Sequence, residues 1–378
     1  MNPLPVYVVA AAALSRFGCG WQGLRAALTQ APAMPPSCQL LASHGEVAAA
    51  EVPQLAPEID VDARARKLMS YPARLAAVAL HQLLHSTGWD ATRRQVCGFY
   101  LGVGASGANM PEINAMLAAS MLDQQFDLAR FGQHGLAACN PLFAFQLMNN
   151  FTMCHGAILE GMGGPNSALF SRGNGTVAAL AEAHWLLASG QADDAIAGGA
   201  DSALHPATWA QLQRDGYTEQ GLLPGEGAAL LALTNQSGAG ALARLAHCEF
   251  HSASAWRAQP ALLQQKLASL QDDGKFGGKA DSNVDGAAAD AAAADAIVLA
   301  PWGEPARAAL LRALQMQSGS LAQLPVLDIS PTLGDALAAS PALGWCVALD
   351  WLTEVSRVLV LNAGIDGGFG ITILCRPT

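Results

Sequence analysis

Short apolar segments alternate along the chain with longer segments in which apolar residues recur at helical spacing. The short segments predict strands, and the longer segments predict amphipathic helices. Their alternation is typical of an α/β fold, in which helices are layered on a sheet. The predicted strands are 5–13, 95–104, 194–200, 227–234, 242–250, 296–300, 325–329, 357–362 and 370–375. The predicted helices are 20–29, 71–87, 141–158, 174–189, 304–316 and 335–354.

The helix that is predicted from Asn174 has the clearest signal. Gly190 stands at its C-terminal end, where a glycine commonly ends a helix. One side of this helix carries Val177, Leu180, Ala181, His184, Trp185 and Leu187. By contrast, the segment 272–295 is low in complexity and has almost no large apolar residue, so it predicts a surface loop with at most a short helical part.

A weak internal repeat divides the chain. The segments Ala195–Ser202 and Val360–Gly367 each have the character of a strand that runs into small residues and an aspartate. We therefore expect two related halves, 1–236 and 237–378, with the boundary in the turn-rich segment 235–240.

Composition excludes several classes of function. Hydrophobic residues make up 52% of the chain and charged residues only 13%, which predicts a large core and an obligate partner for the remaining surface. The net charge of −10, without a run of Lys or Arg, argues against binding to nucleic acid or to an anionic membrane.

The apolar segments and the cysteines predict a cytoplasmic location. No run of 18 apolar residues predicts a transmembrane helix, and the apolar segment 6–14 lacks the basic residues of a signal peptide. The eight cysteines show no Cys-x-x-Cys spacing, which is typical of reduced thiols in a cytoplasmic protein.

For four short motifs we favour a structural role over a catalytic or ligand-binding role. Gly102–Gly107 matches a dinucleotide-binding pattern, but glycine is common in this chain, with 38 residues, so the match carries little weight. His81 and His85 lack the glutamate and the third ligand of a zinc site, so a solvated helix face is expected. Cys154-His155 is expected in the core, and Ser171 has no base placed to activate it. The sequence therefore predicts neither a cofactor nor a metal site.

The most informative segment begins at Gly164-Pro165-Asn166 and continues through a predicted strand, the 174–189 helix and Ala197-Gly-Gly-Ala-Asp201. This order resembles the signature of the β-ketoacyl synthase family. In that family a nucleophilic cysteine lies seven residues after the asparagine of the Gly-Pro-Asn turn. The corresponding residue in this chain is Gly173, which has no side chain and cannot form a thioester.

The resemblance extends over nearly the whole chain. Similar motifs, in the family's order, are Val8–Ser15, Leu68–Arg74, Val96–Gly104, Asn140–Asn150, Met153–Ala157, Leu223–Ala229 and Asn362–Thr372. One departure is the gap between Pro206 and Gly225, which is much shorter than in most ketosynthases. The resemblance implies a thiolase-like α/β fold of two pseudo-symmetric βαβαβαββ halves in a five-layer α-β-α-β-α arrangement. The motifs around 140–166 are most similar to ketosynthase-like proteins of bacterial polyene pathways, such as those for aryl polyenes.

The resemblance also identifies the positions of the catalytic residues, and all four have changed. Gly173 replaces the cysteine, and Trp302 (or Pro301) replaces the first histidine. Asp335 replaces the second histidine, and Ser330 replaces the lysine that assists it. None of these residues can perform the family's roles of thioester formation and carbanion stabilisation. In addition, the phenylalanine that gates the acyl channel corresponds to Asp366, or to Ile365 if the alignment shifts by one residue.

These losses favour a catalytically inactive homologue that acts as a chain-length factor. Such a subunit pairs with an active ketosynthase, as a heterodimer or heterotetramer, and an acyl carrier protein is reached through the complex. An acidic carrier protein would need a basic patch on this chain or on its partner. We expect the 105–125 segment to cover the strand at 166–172 and to line the acyl tunnel with Met110 and Met116.

Two other functions compete with this interpretation. A non-catalytic acyl-binding or regulatory homodimer would keep the fold without a ketosynthase partner. A decarboxylase or acyltransferase with relocated chemistry is disfavoured, since decarboxylating relatives keep the histidines that this chain has lost. The acyl length and the product cannot be predicted from these residues.

Overall fold

The computed structural model describes residues 3–30, 34–40, 45–53, 63–105, 107, 109–170, 174–238, 240–252, 261–272, 294–317, 320–364 and 367–377. The strands in this part of the chain are β1 (Val6–Ser15), β2 (Gly18–Cys19), β3 (Ser37–Cys38), β4 (Val47–Ala48), β5 (Gly98–Val103), β6 (Met121–Leu122), β7 (Gln125–Phe126), β8 (Asn166–Phe170), β9 (Asp194–Ser202), β10 (Glu226–Thr234), β11 (Ala243–His251), β12 (Ala296–Pro301), β13 (Val326–Asp328), β14 (Arg357–Ala363) and β15 (Phe369–Cys375). The α-helices are α1 (Leu24–Gln30), α2 (Ala63–Leu68), α3 (Tyr71–Thr87), α4 (Ala91–Val96), α5 (Met110–Ser120), α6 (Leu128–Arg130), α7 (Ala144–Leu147), α8 (Phe151–Leu159), α9 (Gly175–Ala188), α10 (Pro206–Arg214), α11 (Leu262–Asp272), α12 (Glu304–Gln315), α13 (Ser330–Leu333) and α14 (Ser340–Trp351).

The main sheet consists of two five-stranded halves with the same topology. The strand order is β1-β10-β9-β5-β8 in the first half and β11-β15-β14-β12-β13 in the second. In each half the first two pairings are antiparallel and the last two are parallel. The halves join where Val6–Val8 of β1 pair with Ala243–Leu245 of β11. The predicted thiolase-like arrangement of two pseudo-symmetric halves is therefore confirmed. The boundary at residue 236 stays a prediction, in the connection between β10 and β11.

Three layers of helices cover the two half-sheets. Helices α3 and α8 pack together, and α3 also packs on β1, β9 and β10 of the first half. Helices α9 and α14 contact strands of both halves and so form the middle layer. Helix α12 packs on β12 and β14 of the second half, with α11 beside it. This order of layers confirms the predicted α-β-α-β-α arrangement.

The middle helix α9 runs between the two half-sheets, and its bounds agree with the predicted 174–189. Because sheets cover it on both sides, its buried residues extend around much of the helix. Trp185, which was predicted on the same side of the helix as Val177 and Leu180, is exposed. Helix α3 matches the predicted 71–87 because its ends are strongly marked. Ser70 caps its N-terminus, and Gly88 ends it in the left-handed conformation.

Two predicted helices differ from the structure. The segment 141–158 is broken into a 3₁₀ turn, the short helix α7 and helix α8, because Met148 adopts an extended conformation between them. The helix predicted from 335 begins instead at Ser340, after a 3₁₀ turn in which Leu337 adopts a positive φ of 51°. Most of the low-complexity segment, 273–293, lies outside the described residues. In the described part of the chain, no helix has both the length and the apolar character that a membrane span requires.

Candidate functional site

The described positions that correspond to catalytic residues are Trp302, Ser330 and Asp335, and they lie near the C-terminal ends of β12 and β13. Gly173 falls between the end of β8 and the start of α9, and it lies outside the described residues, as does Ser171. The next residue, Asn174, is fully buried, and its Oδ1 accepts a hydrogen bond from Nδ2 of Asn362 on β14. The start of α9 is thus joined to the second half of the sheet.

Trp302 directly follows β12 at the position expected for the first histidine. Its backbone N–H donates to the carbonyl oxygen of Ala363 at 2.8 Å, which fixes the residue against β14. Its indole is buried in an apolar cluster with Leu40, Ala203, Trp209, Leu212, Leu222 and Leu337. Trp209 and Leu212 belong to α10, which lies in the shortened segment between Pro206 and Gly225. A cavity of only about 80 Å³ is left beside the indole.

Asp335 is buried at the position of the second histidine and holds two backbone groups. Its Oδ1 accepts from the N–H of Gly303 at 2.8 Å, and its Oδ2 accepts from the N–H of Leu223 at 3.1 Å. Burial raises the pKa of this carboxyl group to about 7, while the two hydrogen bonds act in the opposite direction. Asp335 therefore connects the segment after β12 to the segment before β10.

Ser330 stands at the position of the lysine and forms a local hydrogen-bonded turn. Its Oγ donates to Oδ1 of Asp328 at 2.7 Å, and its backbone N–H donates to the same oxygen at 2.9 Å. The other oxygen of Asp328 pairs with Arg307. Arg307 pairs with Asp328 and also with Glu304, so no cationic group is left at this position to assist a reaction as the lysine does.

Asp201, which the sequence analysis did not single out as a site residue, lies at the same centre. Its Oδ1 accepts from the N–H of Ser202 at 2.8 Å, and its Oδ2 accepts from the N–H of Ala338 at 3.3 Å. Burial raises its pKa to about 7. A side chain at Gly104 would overlap this carboxyl group, since a Cβ there would lie 1.7 Å from Oδ2. The sequence signal that could have identified Asp201 is its place at the end of the Ala-Gly-Gly-Ala strand.

Asp201 and Asp335 link the two halves of the chain in opposite directions. Asp201, from the first half, binds the backbone of Ala338 in the second, and Asp335, from the second, binds the backbone of Leu223 in the first. Thr176 adds a hydrogen bond from its hydroxyl to the carbonyl oxygen of Ala338. The structure thus brings Trp302, Ser330 and Asp335 together, with the two aspartates acting as ties between the halves.

Of the remaining candidate residues, Met110 and Met116 lie on α5. Ile365 and Asp366 lie outside the described residues. Met110 is half-buried at the start of α5 and lines a larger cavity, and Met116 is half-buried further along the same helix. Between residues 117 and 170, the exposed large apolar side chains are Leu117, Met121, Leu122, Phe126, Leu128, Leu136, Leu142, Leu147, Met148, Ile158, Leu159 and Phe170.

The motifs that we interpreted as structural have structural partners. Nδ1 of His81 lies 2.7 Å from Oε1 of Glu160. His155 is buried, and burial lowers its pKa. A Cβ at Gly102 would lie 2.5 Å from the backbone of Thr176, so this glycine is required for the close approach of α9 to β5. Among the residues with described positions, no group of three His, Cys, Asp or Glu side chains is arranged to hold a metal ion.

The family sequence model described as "Beta-ketoacyl synthase, N-terminal domain" matches residues 42–239, which is more than half of the chain. The chain therefore belongs to the β-ketoacyl synthase family, as the sequence motifs predicted. No curated protein matches it.

Solved structures of ketosynthases have the same fold. A β-ketoacyl synthase from Burkholderia phymatum STM815 is similar with a TM-score of 0.76 and 18% identity, over all of both chains. The ishigamide ketosynthase/chain length factor is similar with a TM-score of 0.72 and 17% identity, again over all of both chains. A third structure holds a type II PKS acyl-carrier protein in complex with its ketosynthase bound to the hexaketide. Its TM-score is 0.72 at 13% identity, over 99% of this chain and 100% of the other. At these identities the likeness shows the fold alone.

Proposed function

We propose that this chain is the non-catalytic, chain-length-setting subunit of a ketosynthase complex. The observation that carries the proposal is the state of the catalytic positions. Trp302 is packed into an apolar cluster, Asp335 is held by two backbone N–H groups, and Ser330 is bound to Asp328. A fold that keeps the family's scaffold while using these positions for packing can serve an active partner through its surface.

The surface of the chain fits this role. Among the described residues, strand β8 is the last strand of its half-sheet and pairs on one side only, with β5. The exposed apolar side chains between Leu117 and Phe170 lie on the segments before this free edge and on the edge strand itself. Large exposed apolar patches mark interaction sites, and an obligate pair of subunits buries on the order of 1,000 Å² or more per subunit. We infer that an active ketosynthase covers this surface in a heterodimer or heterotetramer.

The relatives with solved structures support the wider assignment. One is named as a ketosynthase/chain length factor, and another is a ketosynthase in complex with an acyl-carrier protein. We propose that this chain likewise acts in polyketide or fatty-acid-like synthesis in the cytoplasm, with an aryl polyene as the product class. The acyl carrier protein would be engaged through the complex.

A non-catalytic homodimer is the second candidate, because the free edge of β8 and its apolar surroundings would also suit a second copy of the chain. Co-expression with and without a ketosynthase separates the two functions. A chain-length factor should be poorly soluble alone and should co-purify with the ketosynthase. A well-behaved homodimer that exchanges no subunits with a ketosynthase would contradict our proposal and support the alternative.

Gly173→Cys is expected to restore no condensation activity to this chain. The chain would still carry Trp302 and Asp335 at the two histidine positions, and neither residue provides an imidazole to polarise a malonyl thioester. The measurement is turnover of malonyl- and acyl-carrier proteins by the complex when the partner's own cysteine is replaced by alanine. Turnover in this background would show that the histidine positions have been assigned wrongly.

Met116→Trp is expected to shorten the product of the complex without preventing its assembly. Met116 is half-buried on α5 and is proposed to line the wall that is shared with the partner's acyl tunnel, so a bulkier side chain leaves less room for the chain end. Mass spectrometry of products released by the intact complex measures the effect. Ala115→Ser on the exposed face of α5 is a control that should leave the lengths as they are. Unchanged lengths with Met116→Trp would remove α5 from the tunnel.

A further inference from the structure

The cavity of about 80 Å³ beside Trp302 is built from both halves of the chain. The first half contributes Gly104 and Asp201, which lie at the ends of β5 and β9, together with residues of α10. The second half contributes Trp302, Leu337 and Ala338. The proposed function uses these positions only for packing, so it leaves the cavity without a role.

The indole N–H of Trp302 is a hydrogen-bond donor without an acceptor. The residue is only 6% exposed, its Nε1 is buried, and no described residue accepts from it. A buried N–H that is left unpaired is unfavourable, and such groups are uncommon in folded proteins. Leucine or phenylalanine would fill the same apolar cluster without this cost. The unpaired donor therefore indicates a ligand that has an acceptor atom.

The lining is polar in places but carries almost no charge. Its described residues include no Lys, Arg or His and a single carboxyl group, that of Asp201. Both oxygens of Asp201 already accept backbone N–H groups, and burial raises its pKa to about 7, so the group is largely protonated in mildly acidic solution. On α10, Thr208 and Gln211 add a hydroxyl group and an amide group. An ion would lose its hydration here without an opposite charge to compensate, so the lining favours an uncharged ligand.

The size of the cavity limits the ligand to a few atoms. A buried apolar cavity of about 150 Å³ holds a benzene ring, so one of about 80 Å³ accommodates about three or four non-hydrogen atoms and excludes an aromatic ring. Buried water needs about two to four polar partners, whereas Leu212, Leu337 and Ala338 make much of this lining apolar. A small organic molecule with one polar end therefore fits better than a cluster of waters. Ala105 and Phe170 are exposed and mark the open side, and Phe170 also belongs to the surface that we assign to the partner.

We propose that this cavity binds a short, uncharged carbonyl compound, such as a ketone or a primary amide of about two or three carbon atoms. The carbonyl oxygen accepts from Nε1 of Trp302, and the alkyl end packs against the apolar residues of the lining. The residue that replaces the first histidine thereby provides the donor of a ligand site. No bond is formed or broken, so this is a binding site and not a relocated active centre. The inference goes beyond the chain-length role and does not depend on it.

Titration of the full chain, purified in its complex and labelled with ¹⁵N-tryptophan, tests the proposal by NMR. The indole N–H resonance of Trp302 is identified by its absence from Trp302→Phe, which should fold because phenylalanine removes only the unpaired donor. Acetone and acetamide are expected to bind in the millimolar range and to move this proton resonance downfield, because the N–H gains a hydrogen bond.

Two internal controls belong to the same titration. Acetate has the shape of acetamide but carries a charge, so its affinity should be at least about tenfold lower. The indole N–H of Trp209 is also buried and unpaired, but Trp209 does not line the cavity, so its resonance should stay in place.

Two leucine variants show where the ligands bind. Ala105→Leu places a larger side chain at the open side and should abolish the shift of the Trp302 resonance. Ala210→Leu, at an exposed position of α10 outside the cavity, should leave the shift unchanged. Thermal unfolding of each variant shows that a loss of binding does not come from a loss of folding.

Three results would reject the site. They are a Trp302 resonance that stays in place with acetone and acetamide, equal binding of acetate and acetamide, and an undiminished shift in Ala105→Leu. If Ala105→Leu is unstable, the comparison of acetamide with acetate on the unaltered chain decides the question. None of these measurements involves product formation, so the chain-length role is tested separately.

Discussion

Asp335→Ala is expected to lower the free energy of unfolding by about 3 kcal/mol, because it removes the common acceptor of two buried N–H groups. The N–H groups of Gly303 and Leu223 would both remain buried without a partner. Each unsatisfied donor costs about 1–3 kcal/mol. Because the burial of a carboxyl group is itself unfavourable, its removal offsets part of this loss of stability. Denaturant unfolding of the purified complex, monitored by fluorescence and circular dichroism, measures the change.

Ser330→Ala is the matched control for this prediction, at a position that has also lost its catalytic residue. Asp328 keeps its hydrogen bond from the N–H of Ser330 and its ion pair with Arg307, so the loss should be only about 1 kcal/mol. Equal losses in the two variants would contradict the role of Asp335 as a tie between the halves.

The pH dependence of the free energy of unfolding is a second test of the role of Asp335. Burial raises the pKa of Asp335 to about 7, above the value near 3.8 that an unfolded aspartate has. The folded protein therefore holds an additional proton between these values, so this group stabilises it at low pH and its contribution is lost as the pH rises to about 7. Asp201 contributes with the same sign. Asp335→Asn should reduce the slope of stability against pH in that window, and an unchanged slope would show that Asp335 does not titrate there.

The fold could be predicted from the sequence because the residues that mark the helix ends and the apolar runs of the buried strands indicate the same elements that the structure has. Helix α3 has Ser70 and Gly88 at its ends, and its predicted and observed bounds are the same. Strand β14 was predicted at 357–362 and runs to Ala363. Helix α5 was missed as a helix, because its apolar residues are spread over an exposed surface and form no single stripe.

Trp302, Ser330 and Asp335 were identified as the former catalytic positions from their places in the motifs. The structure brings these three residues together. Their contacts were not predictable, since they depend on distant segments. Asp335 binds Leu223, and Asp201 binds Ala338, over more than 100 residues of sequence in each case. The positive φ of Leu337 also follows from this tertiary packing, because leucine has no intrinsic preference for that conformation. Hydrogen bonds of this kind leave no periodic pattern in a sequence.

Strand β8 has a free edge, at which a single backbone N–H group can be removed without disturbing the hydrogen bonds to β5. The N–H of Phe99 on β5 donates to the carbonyl oxygen of Pro165 at 2.8 Å. In a parallel pair, alternate residues bond to the same neighbour. The backbone groups of Ser167 therefore face β5, and those of Asn166, Ala168 and Phe170 face the free edge.

Ala168→Pro is consequently expected to weaken assembly with the ketosynthase by about a hundredfold or more, with little effect on the fold of the chain. Proline removes the N–H that faces the free edge and places its ring there, where prolines are tolerated in sheets but would block pairing with the proposed partner. Loss of edge hydrogen bonds together with this steric block corresponds to roughly 3 kcal/mol of association energy. Sedimentation or mass photometry over a dilution series of the complex measures the change.

Two control variants determine which interaction is responsible. Ala168→Ser keeps the N–H and should assemble normally, whereas Ser167→Pro removes a group that faces β5 and should destabilise the chain itself. If Ala168→Pro folds and the complex remains intact on dilution, the partner does not pair with this edge. The exposed apolar side chains from Leu117 to Phe170 would then have to hold the two subunits together without a continuous sheet.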